Sequence, residues 1–457
     1  MCFNRILTAS FNIFREKMEL TANFTKNLKN MNHRLFIAII LVTVFALNLF
    51  SQVTTKWRGP EGNGKYPDKV LLISQEPTKW RGPEGNGKYP DKGLLKQWPQ
   101  NGPEILWTFN DLGEGHSSPA ISGGSIFIPT MIESTGFIYK LSMDGKLIWK
   151  SAYGTEFTES YPGARATATI MDELLYMLSG TGILVCMNTS DGKILWNRDL
   201  FKDFDGKNIR WGLNETLVVD GEKLFCTPGG KTNNVIALNR LTGELIWSSP
   251  GKGEKSAYCS PLIINYPSRK LLVTHTESNI LGIDAANGKL LWNFPWPNQY
   301  AVHANTPVYS DGSLFCFSGY GQGAVMLELR GDGMTFTEKW NTKTFDSRIG
   351  GAVAVNGYIY GSGDKDRSWQ SLEWASGKQM YSSTDFGKGV VIYADDMLYC
   401  YSEKGELGMV KADPAGFNVI SKTTVSSGSE QHWAHPVIHD GVLYLHRGSA
   451  LVAYKIK

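Results

Sequence analysis

The sequence of 457 residues predicts an all-β fold, an eight-bladed β-propeller with four antiparallel strands in each blade, from three observations. A short phrase that ends in tryptophan recurs along the chain. An apolar strand and a turn with glycine stand before each phrase. The last repeat lacks one strand, which a lone strand ahead of the first repeat can supply. An aromatic content of 12% and 49 glycines suit short strands and tight turns.

The tryptophan phrases set the length of the repeat. They read SMDGKLIW, TSDGKILW, RLTGELIW and AANGKLLW, with ILW before them and the looser GDGMTFTEKW after them. Successive tryptophans lie about 40 to 50 residues apart, the length of a four-stranded blade. A large flat side chain at one position per blade is expected to pack between neighbouring sheets. The tryptophans with this structural role are Trp107, Trp149, Trp196, Trp247, Trp292 and Trp340.

The first strands of the repeats give a count of eight blades. Several are followed by a tight turn such as Asp220-Gly221 or Asn356-Gly357, which is a strong hairpin signal. SGKQMYSS and PAGFNVISK replace the tryptophan phrase in blades six and seven, so seven blades remain the alternative. The last unit ends after its third strand, and we expect residues 105–107 to pair with it and close the ring. The first strands begin near Pro119, Ala166, Thr216, Pro261, Pro307, Ala352, Val390 and Pro436.

The start of the chain predicts export. Residues 35–50 form an apolar run that follows Met31-Asn32-His33-Arg34, and a basic stretch before a short apolar run is typical of a secretory signal. The run is shorter than the ~20 residues that a spanning helix needs. We therefore interpret residues 1–52 as a leader with a signal peptide over 31–52, and expect a periplasmic or extracellular protein. The apolar run has two alternative interpretations. It could be an uncleaved anchor, which would be the one contact of the protein with a membrane, or a buried element of the fold.

A motif of fifteen residues, TKWRGPEGNGKYPDK, occurs twice, at residues 55–69 and 78–92. Perfect identity indicates a recent local duplication or an error in the gene assignment, because repeats in different surroundings diverge. The second copy leads directly into the first strand, so we expect it to be integrated and the first copy to be redundant. Proline and glycine favour loop structure for the segment 53–103, ahead of a propeller over 104–457.

Charge and cysteine content exclude several classes of protein. The net charge of +3 resides in the leader, because the remainder of the chain is close to neutral. A nucleic-acid-binding protein needs a clustered basic surface, so we expect no nucleic-acid partner. The six cysteines are scattered, and no pair has the spacing of a metal or redox site. We therefore predict no metal site and interpret the cysteines as thiols that fill the core.

Residues directly before each first strand should converge on one mouth of the channel. Four of the eight histidines and three arginines fall there. Arginine can bind a carboxylate through two hydrogen bonds, and histidine and tryptophan add hydrogen bonds and a stacking face, so these positions favour a pocket for an anionic or polyhydroxylated ligand. Capping of strand ends and a histidine metal site are the alternatives. The candidate ligand-binding residues are His116, Arg165, Arg210, Trp211, Asn214, Tyr258, His303, Asn305, Arg348, His432, Trp433 and His435.

At these phrases the chain resembles the PQQ-binding-like β-propeller repeat family of the quinoprotein alcohol dehydrogenase-like superfamily, from about Trp107 to the C terminus. WRGPEGNGKYP also resembles the opening of secreted bacterial members. The resemblance implies the propeller fold. The family includes dehydrogenases that bind pyrroloquinoline quinone (PQQ) and calcium, and scaffolding propellers of cell-envelope assembly that bind no cofactor, and the fold alone does not separate them.

The sequence departs from the dehydrogenases of that family. It has no adjacent cysteines like those beside the enzymes' cofactor, no CxxCH haem-attachment motif, and no Asp, Glu and Asn trio that clearly aligns with their calcium site. We therefore expect an exported, non-catalytic propeller that binds or scaffolds a protein, glycan or small polar ligand, with no cofactor and no catalytic residue. A PQQ-dependent dehydrogenase of alcohols or sugars, with PQQ and Ca²⁺, is the alternative.

Overall fold

The computed structural model describes residues 77–457, which form eight four-stranded antiparallel blades. The predicted fold class is therefore confirmed, and the alternative of seven blades is wrong. The single helix among the described residues is α1 (Leu200–Asp203), and no helix within residues 77–457 is long and apolar enough to cross a membrane. The predicted leader, its signal peptide and the first motif copy lie outside the described residues.

Each blade is a meander in which strands that follow one another in sequence are neighbours in the sheet. Two strands precede the first blade, β1 (Lys88–Tyr89) and β2 (Glu104–Phe109). Blades 1 to 4 contain β3 (Ala120–Ser122), β4 (Ser125–Ile132), β5 (Thr135–Ser142) and β6 (Leu147–Thr155); β7 (Thr169–Met171), β8 (Leu174–Leu178), β9 (Ile183–Asn188) and β10 (Ile194–Asp199); β11 (Val218–Asp220), β12 (Lys223–Cys226), β13 (Val235–Asn239) and β14 (Leu245–Ser249); and β15 (Leu262–Asn265), β16 (Lys270–His275), β17 (Asn279–Asp284) and β18 (Leu290–Pro295). Blades 5 to 8 contain β19 (Val308–Ser310), β20 (Ser313–Ser318), β21 (Gly323–Arg330) and β22 (Thr335–Thr342); β23 (Ala352–Val355), β24 (Tyr358–Ser362), β25 (Trp369–Glu373) and β26 (Gln379–Ser383); β27 (Gly389–Ala394), β28 (Met397–Ser402), β29 (Glu406–Lys411) and β30 (Val419–Thr424); and β31 (Val437–His439), β32 (Val442–Arg447) and β33 (Ala450–Lys455) with β2.

Strand β2 closes the ring as predicted. It pairs antiparallel with β33, with Ile105 opposite Tyr454 and Phe109 opposite Leu451. The N-terminal strand thus becomes the outer strand of blade 8, whose other three strands come from the C-terminal end of the chain. A cluster of buried side chains from blades 8 and 1 then fills the interface where the ring closes.

The phrase tryptophans lie between blades. The indole of Trp247 packs on Gly288 of the next blade, where φ is +78°, and its Nε1 donates to Ala285 O at 3.1 Å. Glycine is needed there for two reasons. Its backbone can adopt the left-handed conformation of the turn, and the absence of a side chain leaves room for the indole. The other indoles that donate to a carbonyl of the following blade belong to Trp107, Trp149, Trp196, Trp292 and Trp340.

Blade 7 has no tryptophan at the phrase position, and the segment before the ring supplies one. The bulge of the outer strand puts Ser421 of β30 where Trp340 stands in β22. Trp98 lies beside Ser421, because its backbone N–H donates to Ser421 Oγ at 3.0 Å, and its side chain is buried with residues of blades 7 and 8. Residues 93–103 therefore complete an interface that the degenerate repeat leaves unfilled.

A series of hydrogen bonds joins the starts of the first strands and so places them around the channel. Ser118 N donates to Thr167 Oγ1 at 3.0 Å, and Thr167 N donates to Thr216 Oγ1 at 3.2 Å. Thr216 N donates to Ser260 Oγ at 2.9 Å, and Thr306 Oγ1 donates to Ser260 O at 3.0 Å. These bonds connect blades 1 to 5 in order.

The second motif copy crosses the channel and closes it. Near its start, Thr78 bonds twice to Ile170 of blade 2. Its backbone N donates to Ile170 O, and its Oγ1 accepts from Ile170 N, each at 2.8 Å. Further along, Arg81 donates to the carbonyls of Ala352 in blade 6 and Val391 in blade 7. Strand β1 then pairs in parallel with β27, the first strand of blade 7. Because blades 2 and 6 stand on opposite sides of the ring, the motif spans its width.

Candidate functional site

A cavity of about 400 Å³ lies at the mouth of the channel, with Trp80 of the second motif copy in its floor. A volume of this size suits a small ligand or the end of a longer one. Nine of the twelve candidate residues line it, whereas a ligand-binding role for them stays a prediction. These nine are His116, Arg165, Arg210, Trp211, Asn214, Tyr258, Arg348, Trp433 and His435.

Three candidate residues do not reach the cavity. His303 is buried, with Nδ1 2.6 Å from Ser318 Oγ and Nε2 3.2 Å from Glu277 O. His432 lies instead against the hydroxyl of Tyr401 in β28. The third, Asn305, is also buried and bonds to the backbone of the loop that carries Arg348.

Alternation along the chain accounts for the positions of these three residues. Side chains of successive residues in extended chain point to opposite sides. Val302 and Ala304 line the cavity, so His303 and Asn305 point away from it. The prediction did not consider which side of the chain each of these residues faces.

We therefore expect the side chain of Asn305 to stabilise the folded chain. Its Nδ2 donates to Ser347 O at 2.7 Å and to Arg348 O at 3.2 Å, and its Oδ1 accepts from Gly351 N at 3.1 Å. Asn305→Ala would leave these buried backbone groups unpaired and should lower the free energy of unfolding by about 2 to 3 kcal/mol in urea denaturation. Asn214→Ala is the matched control, since no described residue bonds to its amide, and an equal loss there would contradict this role.

Several cavity aromatics were not predicted. Trp80 comes from the motif copy, Tyr161 and Tyr300 lie further upstream in the loops that lead into β7 and β19, and Tyr320 lies in the turn between β20 and β21. Tyr161 and Tyr320 have φ values of 56° and 60°, and the predicted Tyr258 has 70°. A left-handed backbone is uncommon outside glycine and costs free energy. Three such tyrosines at one cavity indicate that these loops are shaped around it.

Two of the three cavity arginines are held by the protein itself. The guanidinium of Arg165 donates to three backbone carbonyls of its own loop. Arg348 forms ion pairs with Glu403 at 2.8 Å and with Asp364 at 3.6 Å. Both side chains therefore help to shape the mouth, and their charge is partly satisfied within the structure.

Arg210 is the cavity cation whose guanidinium has neither an ion pair nor a hydrogen bond with any described residue. Its side chain is exposed, and its Cζ stands 4.8 Å from the centre of the Trp211 ring and 6.0 Å from that of Tyr300. A guanidinium that stacks on an aromatic face keeps its donor edge available. Arg210 can therefore offer two parallel donors to a carboxylate of a ligand.

The charge around the cavity is positive. Among the described residues that line it there is no aspartate or glutamate. A further guanidinium lies beneath it, that of Arg81, which donates to Ala352 O at 2.7 Å and to Val391 O at 3.3 Å. Burial lowers the pKa of Arg81 to about 10, so this side chain is still charged at neutral pH. The cavity therefore attracts anions.

The two cavity histidines are neutral near pH 7. Burial lowers the pKa of both His116 and His435 to about 3. Both ring nitrogens of His116, and Nδ1 of His435, are shielded from solvent and have no hydrogen-bond partner among the described residues. Because these nitrogens are shielded, the two histidines contribute ring surface rather than open hydrogen-bonding groups to the cavity wall.

The fold and the site together define an eight-bladed β-propeller with an aromatic, cation-bearing cavity at one mouth. A family described as outer membrane protein assembly factor BamB matches residues 134–381, more than half of the chain, and the chain belongs to that family. The predicted resemblance is thereby confirmed.

Relatives in this family differ in their functions. The chain is 25% identical over 248 residues to the quinoprotein alcohol dehydrogenase PedH of Pseudomonas putida, a match that covers 52% of this chain and 38% of PedH. It is 22% identical over 259 residues to the outer membrane protein assembly factor BamB of Shewanella oneidensis, covering 52% of this chain and 62% of that protein. The chain thus spans less than two thirds of the length of either relative.

Solved structures support the fold. BamB from Moraxella catarrhalis superposes with a TM-score of 0.56 at 11% identity, covering 77% of this chain and 99% of that one. The quinohemoprotein alcohol dehydrogenase from Comamonas testosteroni superposes with a TM-score of 0.55 at 11% identity, covering 77% of this chain and 76% of the enzyme. Binding propellers and dehydrogenases share this architecture, so the function has to be argued from the site.

Proposed function

We propose that this chain is an exported, non-catalytic propeller whose mouth binds an anionic, polyhydroxylated ligand such as an acidic sugar or the end of an acidic glycan. The observation that carries the proposal is Arg210, a guanidinium stacked on Trp211 and offered no carboxylate by the described residues. Aromatic faces stack on the apolar faces of sugar rings, and an amide group such as that of Asn214 binds hydroxyls. Export is supported by the signal-like leader and by the family's description as an outer membrane assembly factor.

The residues of the cavity do not fit the calcium ion of the dehydrogenase alternative. Calcium takes six to eight oxygen ligands and prefers carboxylates. Among the described lining residues there is no acid, and the described chain has no group of three His, Cys, Asp or Glu side chains that could hold a metal. Glu215, next to Asn214, turns into the interior and bonds to Thr227 instead. We therefore derive no oxidation step and favour binding without this cofactor.

A scaffold for another protein is the second candidate. Apolar residues directly before the phrase tryptophans are exposed on the outer strands of four consecutive blades. An exposed sheet edge with apolar side chains can accept an added strand or an apolar patch of a partner. The exposed pairs are Ile105 and Leu106, Leu147 and Ile148, Ile194 and Leu195, and Leu245 and Ile246.

Replacing Arg210 tests the proposed function. Arg210→Ala should weaken the binding of a galacturonate oligomer about 10-fold or more, because a charge-assisted contact is lost, while the melting temperature stays unchanged. Calorimetric titration measures the affinity, and galactose oligomers, which lack the carboxylate, should bind more weakly than the acidic ones.

Arg330→Ala is the matched control, because Arg330 is exposed at the end of β21, does not line the cavity and pairs with Glu328. It should bind the acidic oligomer as the unaltered chain does. Equal affinity of the Arg210 variant, or no binding of either oligomer at millimolar concentration, would refute an anionic-sugar site. Uptake of PQQ with Ca²⁺ and turnover of an alcohol would instead establish the dehydrogenase alternative.

A further inference from the structure

A second depression, a groove of about 630 Å³ on blades 3 and 4, opens on the same face of the ring as the mouth. Its walls are the segments before β11 and β15 and the turns that join β12 to β13 and β16 to β17. In an antiparallel meander, the segment before the first strand and the turn between the second and third strands lie at the same end of a blade. The mouth is built from segments of these two kinds. The charged residues of this lysine groove are Lys207, Lys231, Lys252, Lys255, Glu254 and Glu277.

The lysine groove carries positive charge that the protein leaves unpaired. All four lysines are exposed, and their ammonium groups form no ion pair or hydrogen bond within residues 77–457. Glu254 is taken up by blade 4, because its carboxylate accepts hydrogen bonds from Thr276 Oγ1 at 2.6 Å and Asn279 Nδ2 at 2.7 Å. Glu277 is half-buried and is the other acid in the described wall, so the lysines outnumber the acids by four to two. The groove therefore attracts anions, as the mouth does.

Two stretches of chain connect the groove to the mouth. Lys207 lines the groove, and Arg210, three residues further on, lines the cavity. Lys255 and Tyr258 are related in the same way. Three residues of chain span at most about 11 Å, so the groove begins within that distance of the cavity. One ligand can reach the Arg210 guanidinium and the lysines together.

We propose that the lysine groove holds the further units of an acidic polymer whose first unit lies in the cavity. The ligand of this face is then an acidic oligosaccharide of several units rather than a single acidic sugar, an inference that rests on the proposed function. A polymer with a carboxylate on each unit matches several cations without partners. Lysine suits this role, because its flexible stem lets the ammonium group follow a carboxylate that has no fixed position. Each exposed contact is weak, so the groove contributes affinity only through several contacts of one tethered ligand.

The length of the ligand tests the groove without a substitution. In calorimetric titration the unaltered full chain should bind a galacturonate hexamer about 10-fold more tightly than a galacturonate dimer. Sodium chloride should weaken the binding of the hexamer more steeply, because contacts between exposed charges are screened by salt. Equal affinities for the two oligomers would overturn the proposal. An oligoglutamate peptide of the same charge that binds as tightly as the hexamer would also overturn it, since the occupant would then be an acidic protein segment.

A charge reversal in the groove tests the lysines directly. The double variant Lys231→Glu, Lys255→Glu should bind the hexamer about 10-fold more weakly and the dimer as the unaltered chain does. The matched control is Lys289→Glu with Lys378→Glu, which changes the net charge equally. Both control lysines are exposed in turns between third and fourth strands, on the opposite face of the ring. None of the four lysine side chains has a partner among the described residues, so both double variants should melt as the unaltered chain does.

Arg210→Ala separates the groove from the proposed function. It should weaken the dimer and the hexamer alike, whereas the groove variant should weaken the hexamer alone. Full affinity of the groove variant for the hexamer, or an equal loss in the control, would overturn the groove and leave the cavity proposal standing. A loss of hexamer binding in the groove variant with no effect of Arg210→Ala on either oligomer would refute the anionic cavity, and with it the continuity of the two sites.

Discussion

Replacing Gly282 by alanine is expected to lower the free energy of unfolding by about 3 kcal/mol, because the added methyl group overfills a closed interface. Gly282 of β17 pairs with Trp292 of β18, and its Cβ would lie 2.0 Å from Cε2 of that indole. Trp292 cannot yield freely, because its Nε1 donates to Gly333 O of the next blade at 2.8 Å. Urea denaturation of the variant and the unaltered chain measures the loss.

Gly387→Ala is the control for this substitution. The backbone of neither glycine is left-handed, but a Cβ on Gly387 meets only the side chains of Lys404 and Ser402, at the ordinary van der Waals distance of 3.6 Å or more. The control should change the free energy of unfolding by less than about 0.5 kcal/mol. A loss at Gly282 no larger than that would show that the tryptophan can move aside without cost, and that the phrase tryptophans are not rigid wedges between blades.

The blades could be predicted because each repeat carries its own signals. An apolar strand, a turn glycine and a tryptophan stand within a few residues of one another, and the contact between Trp247 and Gly288 shows why both are retained. Even the degenerate sixth blade keeps the turn glycine, Gly377, on which Trp340 packs. The incomplete last unit pointed to β2 because its three strands lack the outer strand that the other blades have.

The closure of the channel could not be predicted in the same way. Arg81 is held by the carbonyls of Ala352 and Val391, and every residue of the chain has a carbonyl. The motif has no alternation of polar and apolar residues, so its proline and glycine content indicated only a loop. The role of Trp98 was hidden for a related reason, because it replaces a phrase tryptophan of a blade more than 300 residues away in sequence.

The sequence predicted those features of the candidate site that follow from the propeller topology alone. Residues before the first strands do converge, since those strands surround the channel, and this brings His116, Arg210 and Trp433 to one cavity. Which of two successive residues faces the mouth depends on the register of the extended chain, as His303 beside Val302 shows. The turn between β20 and β21, which carries Tyr320, also reaches the cavity. Local sequence patterns do not reveal the course of such a turn.

Glu215→Gln is expected to remove a large part of the dependence of stability on pH. The carboxyl of Glu215 is 1% exposed, and burial raises its pKa from 4.5 to about 8. Between these two values the folded chain keeps a proton that the unfolded chain has released, so the free energy of unfolding falls as pH rises. The fall is about 1.4 kcal/mol per pH unit, or on the order of 4 kcal/mol from pH 5 to pH 8. Chemical denaturation at a series of pH values measures the slope.

The amide of the variant carries no titrating proton but can keep the contacts of the acid. Its oxygen can accept the hydrogen bond that Thr227 N donates to Glu215 Oε2 at 2.9 Å, and its NH₂ group can donate to Thr227 Oγ1. The two chains should therefore be equally stable below pH 5. Above pH 7 the variant should be the more stable, because there the buried acid must either keep a proton that it would release in solution or ionise with no cation beside it. Glu222→Gln, on the exposed turn between β11 and β12, should leave the slope as it is. Parallel pH curves for the unaltered chain and Glu215→Gln would mean that water or a shift of the backbone solvates this carboxylate.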